Sequence, residues 1–111
     1  MESPPIDIRP PDWLIVREIL KQHVPEHKVW AFGSRARRTA KDYSDLDLVI
    51  ITDRPLSLEI KSALDSEFAE SDLPFKVDVV DWATTSEAFR KIIQKEKVVV
   101  QGRENEISDG G

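Results

Sequence analysis

Two aspartates stand inside an otherwise apolar run in VWAFGSRARRTAKDYSDLDLVII, residues 29–51, and this placement constrains the fold more than any other feature of the chain. Side chains alternate along a strand, so Asp45 and Asp47 point one way while Leu46, Leu48 and Ile50 point the other. A strand apolar at most of its positions belongs in the middle of a sheet. The paired carboxylates repel, each making its neighbour costlier to ionise, and a cation between them relieves that cost. Mg²⁺ is the natural guest, because it takes oxygen ligands and is commonly held by one or two carboxylates plus substrate phosphates. Upstream, the strand ending at Phe32 runs into Gly33-Ser34. Glycine lets the backbone come close to a phosphate, and the serine opens a helix whose free N–H groups favour an anion.

Periodicity places the other elements. MESPPIDIRPP holds four of the seven prolines and reads as an extended, loosely held arm over residues 1–11. Trp13, Val16, Leu20 and Val24 recur at helical spacing until Pro25 ends the run. Lys28 to Phe32 reads as a strand, Ser34 to about Ala40 as a short helix, and Leu46 to Thr52 as the central strand. Ile60, Leu64 and Phe68 line one side of a helix over about 57–71. Phe75 to Asp81 reads as a third strand, interior to the sheet, and Asp81 as its end or a cap of the following turn. Thr84-Thr85-Ser86-Glu87 has the form of a capping box opening a helix with Phe89, Ile92 and Ile93 inside. Val98 to Val100 fits a short edge strand. The expected fold class is therefore α/β (α+β), a small mixed sheet flanked by helices, with one domain over 12–101 and a polar, disordered tail over 102–111.

Composition narrows the function. A chain of 111 residues supports one core. With 16 Lys and Arg against 21 Asp and Glu, the net charge of −5 opposes direct nucleic-acid binding and attachment to an anionic membrane. Cysteine is absent, which removes disulfides and thiolate metal sites. No basic-then-apolar leader is visible, and the expected location is the cytoplasm.

Phe32-Gly33-Ser34, ten further residues, then Asp45-Leu46-Asp47-Leu48, with the later Val77-Asp78-Val79-Val80-Asp81-Trp82, together resemble the signature of the DNA polymerase beta nucleotidyltransferase superfamily. The similarity runs from about residue 12 to 101 and is strongest to its short minimal nucleotidyltransferase (MNT, MntA-type) antitoxins. It implies a polymerase beta-like fold in which Gly33 and Ser34 bind a nucleotide triphosphate, Asp45 and Asp47 bind metal, and Asp78 is the third catalytic and metal-binding carboxylate. It further implies two Mg²⁺ ions, ATP as substrate, and nucleotidyl transfer with release of pyrophosphate. A charge between Val77 and Val79 in an interior strand independently calls for a partner, although a salt bridge or an edge position would also accommodate it. Arg35 adjoins the turn and could fork onto phosphate, or belong with Arg37, Arg38 and Lys41 to a solvated basic face. Arg38 departs from the family, which commonly has glycine there.

The acceptor is inferred from what so short a chain lacks. It has room neither for a second wall around a free small molecule nor for a basic template track. A partner protein can present its own hydroxyl, and the resemblance implies a HEPN-domain toxin, typically an RNase, whose tyrosine is AMPylated in a hetero-oligomeric pair. The alternatives are a small-molecule nucleotidyltransferase of the antibiotic-modifying type that dimerises, and an antitoxin acting by binding alone. His23 and His27 read as helix-end or surface residues rather than metal ligands, and Trp13, Trp30 and Trp82 as packing.

Overall fold

The computed structural model describes residues 3–102. Helix α1, Pro10–His23, starts on two prolines, where the missing N–H groups would have had no helical acceptor. Asp12 in its first turn and Lys21 and His23 in its last complement the helix dipole. Trp13, Val16, Ile19 and Leu20 form its buried face.

Strands β1, Val29–Phe32, β2, Leu46–Ile50, β3, Val77–Asp81, and β4, Val98–Gln101, build one sheet in the order β3-β2-β1-β4. β1 is antiparallel to both β2 and β4, while β2 and β3 are parallel, so the sheet is mixed as the sequence suggested. β2 is internal, and Leu46, Leu48, Val49 and Ile50 are sealed. β3 lies at the sheet edge, which corrects the expectation of an interior strand and leaves Asp78 exposed. Its Val77 and Val79 are apolar because they face a helix-covered core, which an edge strand can do as well as an inner one.

One sheet face carries the main core. Val29, Ala31, Leu46, Leu48, Ile50 and Val79 meet Val16 and Leu20 of α1 and Leu64 and Phe68 of helix α3, Leu58–Glu70. The proline-rich segment before α1 belongs to this core and is not a loose arm: Ile6 and Ile8 are buried, and the Asp7 N–H donates to the Arg35 carbonyl. Burial of two isoleucines at strand spacing offsets the backbone N–H donors that the surrounding prolines lack.

The opposite face is covered by helix α4, Glu87–Glu96, which lies against β1. Ile93 packs with Phe32 and Val49, Phe89 meets Phe32 edge-on at 5.5 Å, and Trp30 meets Trp82 edge-on at 5.3 Å. Phe89 and Ile92, expected inside, remain 37% and 50% exposed. The cap also differs from the expected box: Ser86, not Thr84, accepts from the Phe89 N–H, while the Thr84 and Thr85 hydroxyls donate to the Asp81 carbonyl. Asp81 does end β3 and cap the turn, its buried carboxylate accepting from Thr52 Oγ1 and from the N–H groups of Leu56 and Ala83. Helix α2 spans only Ser34–Arg37, because Arg38 takes left-handed angles (φ 61°, ψ 38°) that cannot continue a helix. Of the tail expected over 102–111, all but Gly102 lies outside the described residues. Among the described residues no helix is long and apolar enough to cross a membrane.

Candidate active site

Gly33 joins β1 to α2 at φ 77°, ψ −159°, a region essentially closed to other residues. A second constraint comes from across the sheet. Phe32 pairs with Asp47, and a Cβ on Gly33 would overlap the Asp47 carboxylate. The turn and the strand carboxylate are thus in direct contact, without room for a methyl group between them.

Asp47 pairs in parallel register with Asp78 on β3. Asp45 sits one residue before β2 rather than within it, at the point where the Leu46 N–H donates to the Lys76 carbonyl. Alternation puts Asp45, Asp47 and Asp78 on the α4 face, opposite Leu46, Leu48, Val77 and Val79. Asp45 and Asp78 are exposed and Asp47 is partly buried. Burial pushes the Asp47 carboxyl up to about 6; the charges of Asp78, Asp45 and Glu96 push the same way, and Arg37 opposes them. A partly buried carboxylate with two further carboxylates beside it suits a divalent cation, which would satisfy several oxygens at once. Among the described residues no three acidic, His or Cys side chains close on a single ion unaided.

Of the basic run, the residue expected at the phosphate faces elsewhere. Arg35 is 5% exposed, donating to the carbonyls of Ser44, Asp7, Asp42 and Lys41 and stacking 4.0 Å over the Phe75 ring. It ties the loop before β2 to the segment before α1, which corrects its assignment to the nucleotide. A planar fork that satisfies several carbonyls serves the fold as well as it would serve a phosphate. Arg38 also turns to that segment, donating to the Pro4 carbonyl at 3.0 Å. Arg37 instead faces the site and meets Glu96 at 3.1 Å. Glu96 escaped the sequence reading; its one visible signal was a carboxylate in the last turn of a helix, where the dipole disfavours it. His23 lies against Glu67 and His27 against the Ile51 carbonyl, in structural positions. Trp30 and Trp82 pack together, with Lys97 over the first ring and Arg90 over the second.

A mixed sheet with a Gly-Ser turn against a strand aspartate points to the nucleotidyltransferases as the class of protein. Residues 15–106 match the family model of Polymerase beta, Nucleotidyltransferase, and the chain belongs to that family. Over 102 residues it is 52% identical to the probable protein adenylyltransferase MntA of Haemophilus influenzae, covering 92% of this chain and 90% of that one. Its fold matches a chain in the crystal structure of a toxin–antitoxin with AMP-PNP (TM-score 0.69, 21% identity, 86% of this chain and 77% of that one). It also matches a chain of the tri-AMPylated Shewanella oneidensis HEPN toxin in complex with its MNT antitoxin (TM-score 0.63, 18% identity, 87% and 75%).

Proposed function

We propose that this protein is the antitoxin of a HEPN/MNT pair and transfers AMP from Mg²⁺-bound ATP to a tyrosine hydroxyl of a HEPN toxin, an RNase, in the cytoplasm. The observation that carries the reading is the contact between the Gly33 turn and the Asp47 carboxylate, a backbone suited to phosphate against a side chain suited to a cation. The 52% identical relative, named as a protein adenylyltransferase, supports a protein acceptor. So does the openness of the site, because exposed Asp45 and Asp78 leave the acceptor side to be completed by another surface.

In the transfer, the tyrosine oxygen bonds to the α-phosphorus in line with the departing bridge oxygen, and the bond to that oxygen breaks to release pyrophosphate. Gly33 and Ser34 hold the β- and γ-phosphates. Asp45 and Asp47, with Asp78 beside them, would hold Mg²⁺, and the ion would supply positive charge to the transfer. Asp78, at the solvent edge beside Asp47, orients the hydroxyl and takes its proton. Each AMP added to the toxin replaces a neutral hydroxyl with a phosphodiester anion.

Intact mass spectrometry of the HEPN partner tests the proposal. With ATP and Mg²⁺ the wild type should add one or more AMP units, and Asp78→Asn should add none while still docking, since an interface spreads over many residues. A toxin that is neutralised at unchanged mass by the wild type would replace transfer with inhibition by contact.

A further inference from the structure

The donors that a triphosphate needs at the Gly33 turn are already engaged by a carboxylate of the same chain. Glu96 accepts from the Gly33 N–H through Oε1 at 3.1 Å and from Arg37 Nη1 through Oε2 at 3.1 Å. A backbone N–H carries one hydrogen and points at one anion, so a phosphate oxygen on Gly33 and the present position of Glu96 exclude each other. Two further features disfavour the carboxylate there. It ends α4, where the helix dipole repels a negative charge, and it shares its surroundings with Asp47. Arg37 and the Gly33 N–H are what hold it, and Arg37 is itself about half exposed.

We infer that Glu96 is an intramolecular competitor of the nucleotide, occupying the Gly33 N–H until a triphosphate displaces it and takes over Arg37. The inference rests on the nucleotide-binding role of the turn proposed above. A triphosphate brings more charge and more acceptor oxygens than one carboxylate, and charge-assisted bonds to Arg favour it. Departure of Glu96 also removes one of the charges crowding Asp47 just as the cation-bearing nucleotide arrives. Arg37 thereby becomes a phosphate-binding residue, whereas Glu96 positions it and sets the affinity.

The test is ATP affinity by calorimetry, with EDTA and separately with Mg²⁺, in the wild type, Glu96→Gln, Glu96→Ala and Arg37→Gln. Amide NMR of Gly33 reports on the latch itself. Loss of one charge-assisted competitor should tighten ATP binding by about five- to tenfold in both Glu96 variants. Arg37→Gln should weaken it by a similar factor; tighter binding there would mean that Arg37 only holds Glu96. In the apo protein the Gly33 amide resonance should move on Glu96→Gln, and the two forms should converge when saturated with ATP. Two Glu96 variants that bind ATP no better than the wild type, with the Gly33 resonance responding to ATP in all three, overturn the competition and leave the nucleotide site standing. If ATP neither binds nor moves that resonance in any form, the nucleotide reading falls and the inference with it.

Discussion

Against α1 and α3, β2 presents Leu46, Leu48 and Ile50, all sealed; against α4 the same strand presents Asp47 and Val49, of which only Val49 is sealed. The first face gathers buried apolar side chains from the segment before α1, two helices and three strands. The second has one buried helical residue, Ile93, and a crowd of carboxylates. One face therefore supplies most of the hydrophobic stabilisation, and the other can retain groups that repel one another. Repulsion that persists without a ligand leaves binding free energy to be gained by the cation proposed for this site.

The largest expected effect comes from the charged face. Asp45→Asn with Asp47→Asn should lower AMP transfer by at least about a thousandfold, since the groups holding charge against the transition state disappear. The fold should hold. The folded Asp47 carboxyl titrates near 6 rather than 3.8, so between those values the folded state binds the extra proton and stability falls as pH rises. This destabilisation is absent below about pH 4 and complete above about pH 6, and partial solvent exposure limits its size. Melting temperatures measured from pH 4 to 8 should fall less in the double variant than in the wild type. A variant melting far below the wild type at pH 7 would mean that the aspartates hold the sheet together.

One residue along β2 the expectation reverses. Leu48→Ala opens a cavity in the sealed face and should cost about 2–5 kcal/mol. The amount of AMP transferred per folded molecule should stay near that of the wild type. Urea unfolding combined with the transfer assay separates the two quantities, and a loss of transfer at full folding would erase the division between the faces.

The sealed face was legible because period-2 and period-3.6 apolar patterns record burial directly: Val16, Leu20, Leu46, Leu48, Leu64 and Phe68 all lie where their spacing put them. The turn and the strand aspartates were legible as a motif, and the structure brings Gly33 against Asp47. What escaped notice depended on partners distant in sequence. Nothing local distinguishes Arg35, which meets four carbonyls and a ring inside the fold, from Arg37, which faces the site. Apolar residues at 77 and 79 signal a covered face but do not say whether another strand lies beyond, so the edge position of β3 was missed. Ile6 and Ile8 carry a strand-like alternation among prolines that suggested a free segment.

Gly33 lies where the faces meet, and its substitution should act on both quantities. In Gly33→Ala the positive φ costs about 1–3 kcal/mol, and the added methyl forces the Asp47 carboxylate aside. Stability should therefore fall by that amount in urea, and transfer should fall further than the loss of folded protein explains. An alanine variant with wild-type transfer would show that neither the close approach nor the backbone angle matters to the site.

The smallest effect is expected at Arg38, where the resemblance to minimal nucleotidyltransferases leads one to expect glycine and where the backbone is left-handed at φ 61°. Holding a residue with a Cβ in that region costs about 1–2 kcal/mol. Glycine removes that cost but orders from a broader unfolded ensemble, returning about 0.5–1 kcal/mol. The variant also loses the exposed bond from Arg38 Nη2 to the Pro4 carbonyl, worth a few tenths to about 1 kcal/mol. These terms nearly cancel, so Arg38→Gly should shift stability by less than about 1 kcal/mol. Its distinguishing mark should instead be local, as faster amide exchange in the segment before α1, which Arg38 and Arg35 hold from the loop side. Exchange there at the wild-type rate would leave Arg35 as the tie that matters, while a loss of several kcal/mol would mean that the Pro4 contact anchors the segment on which the sealed face depends.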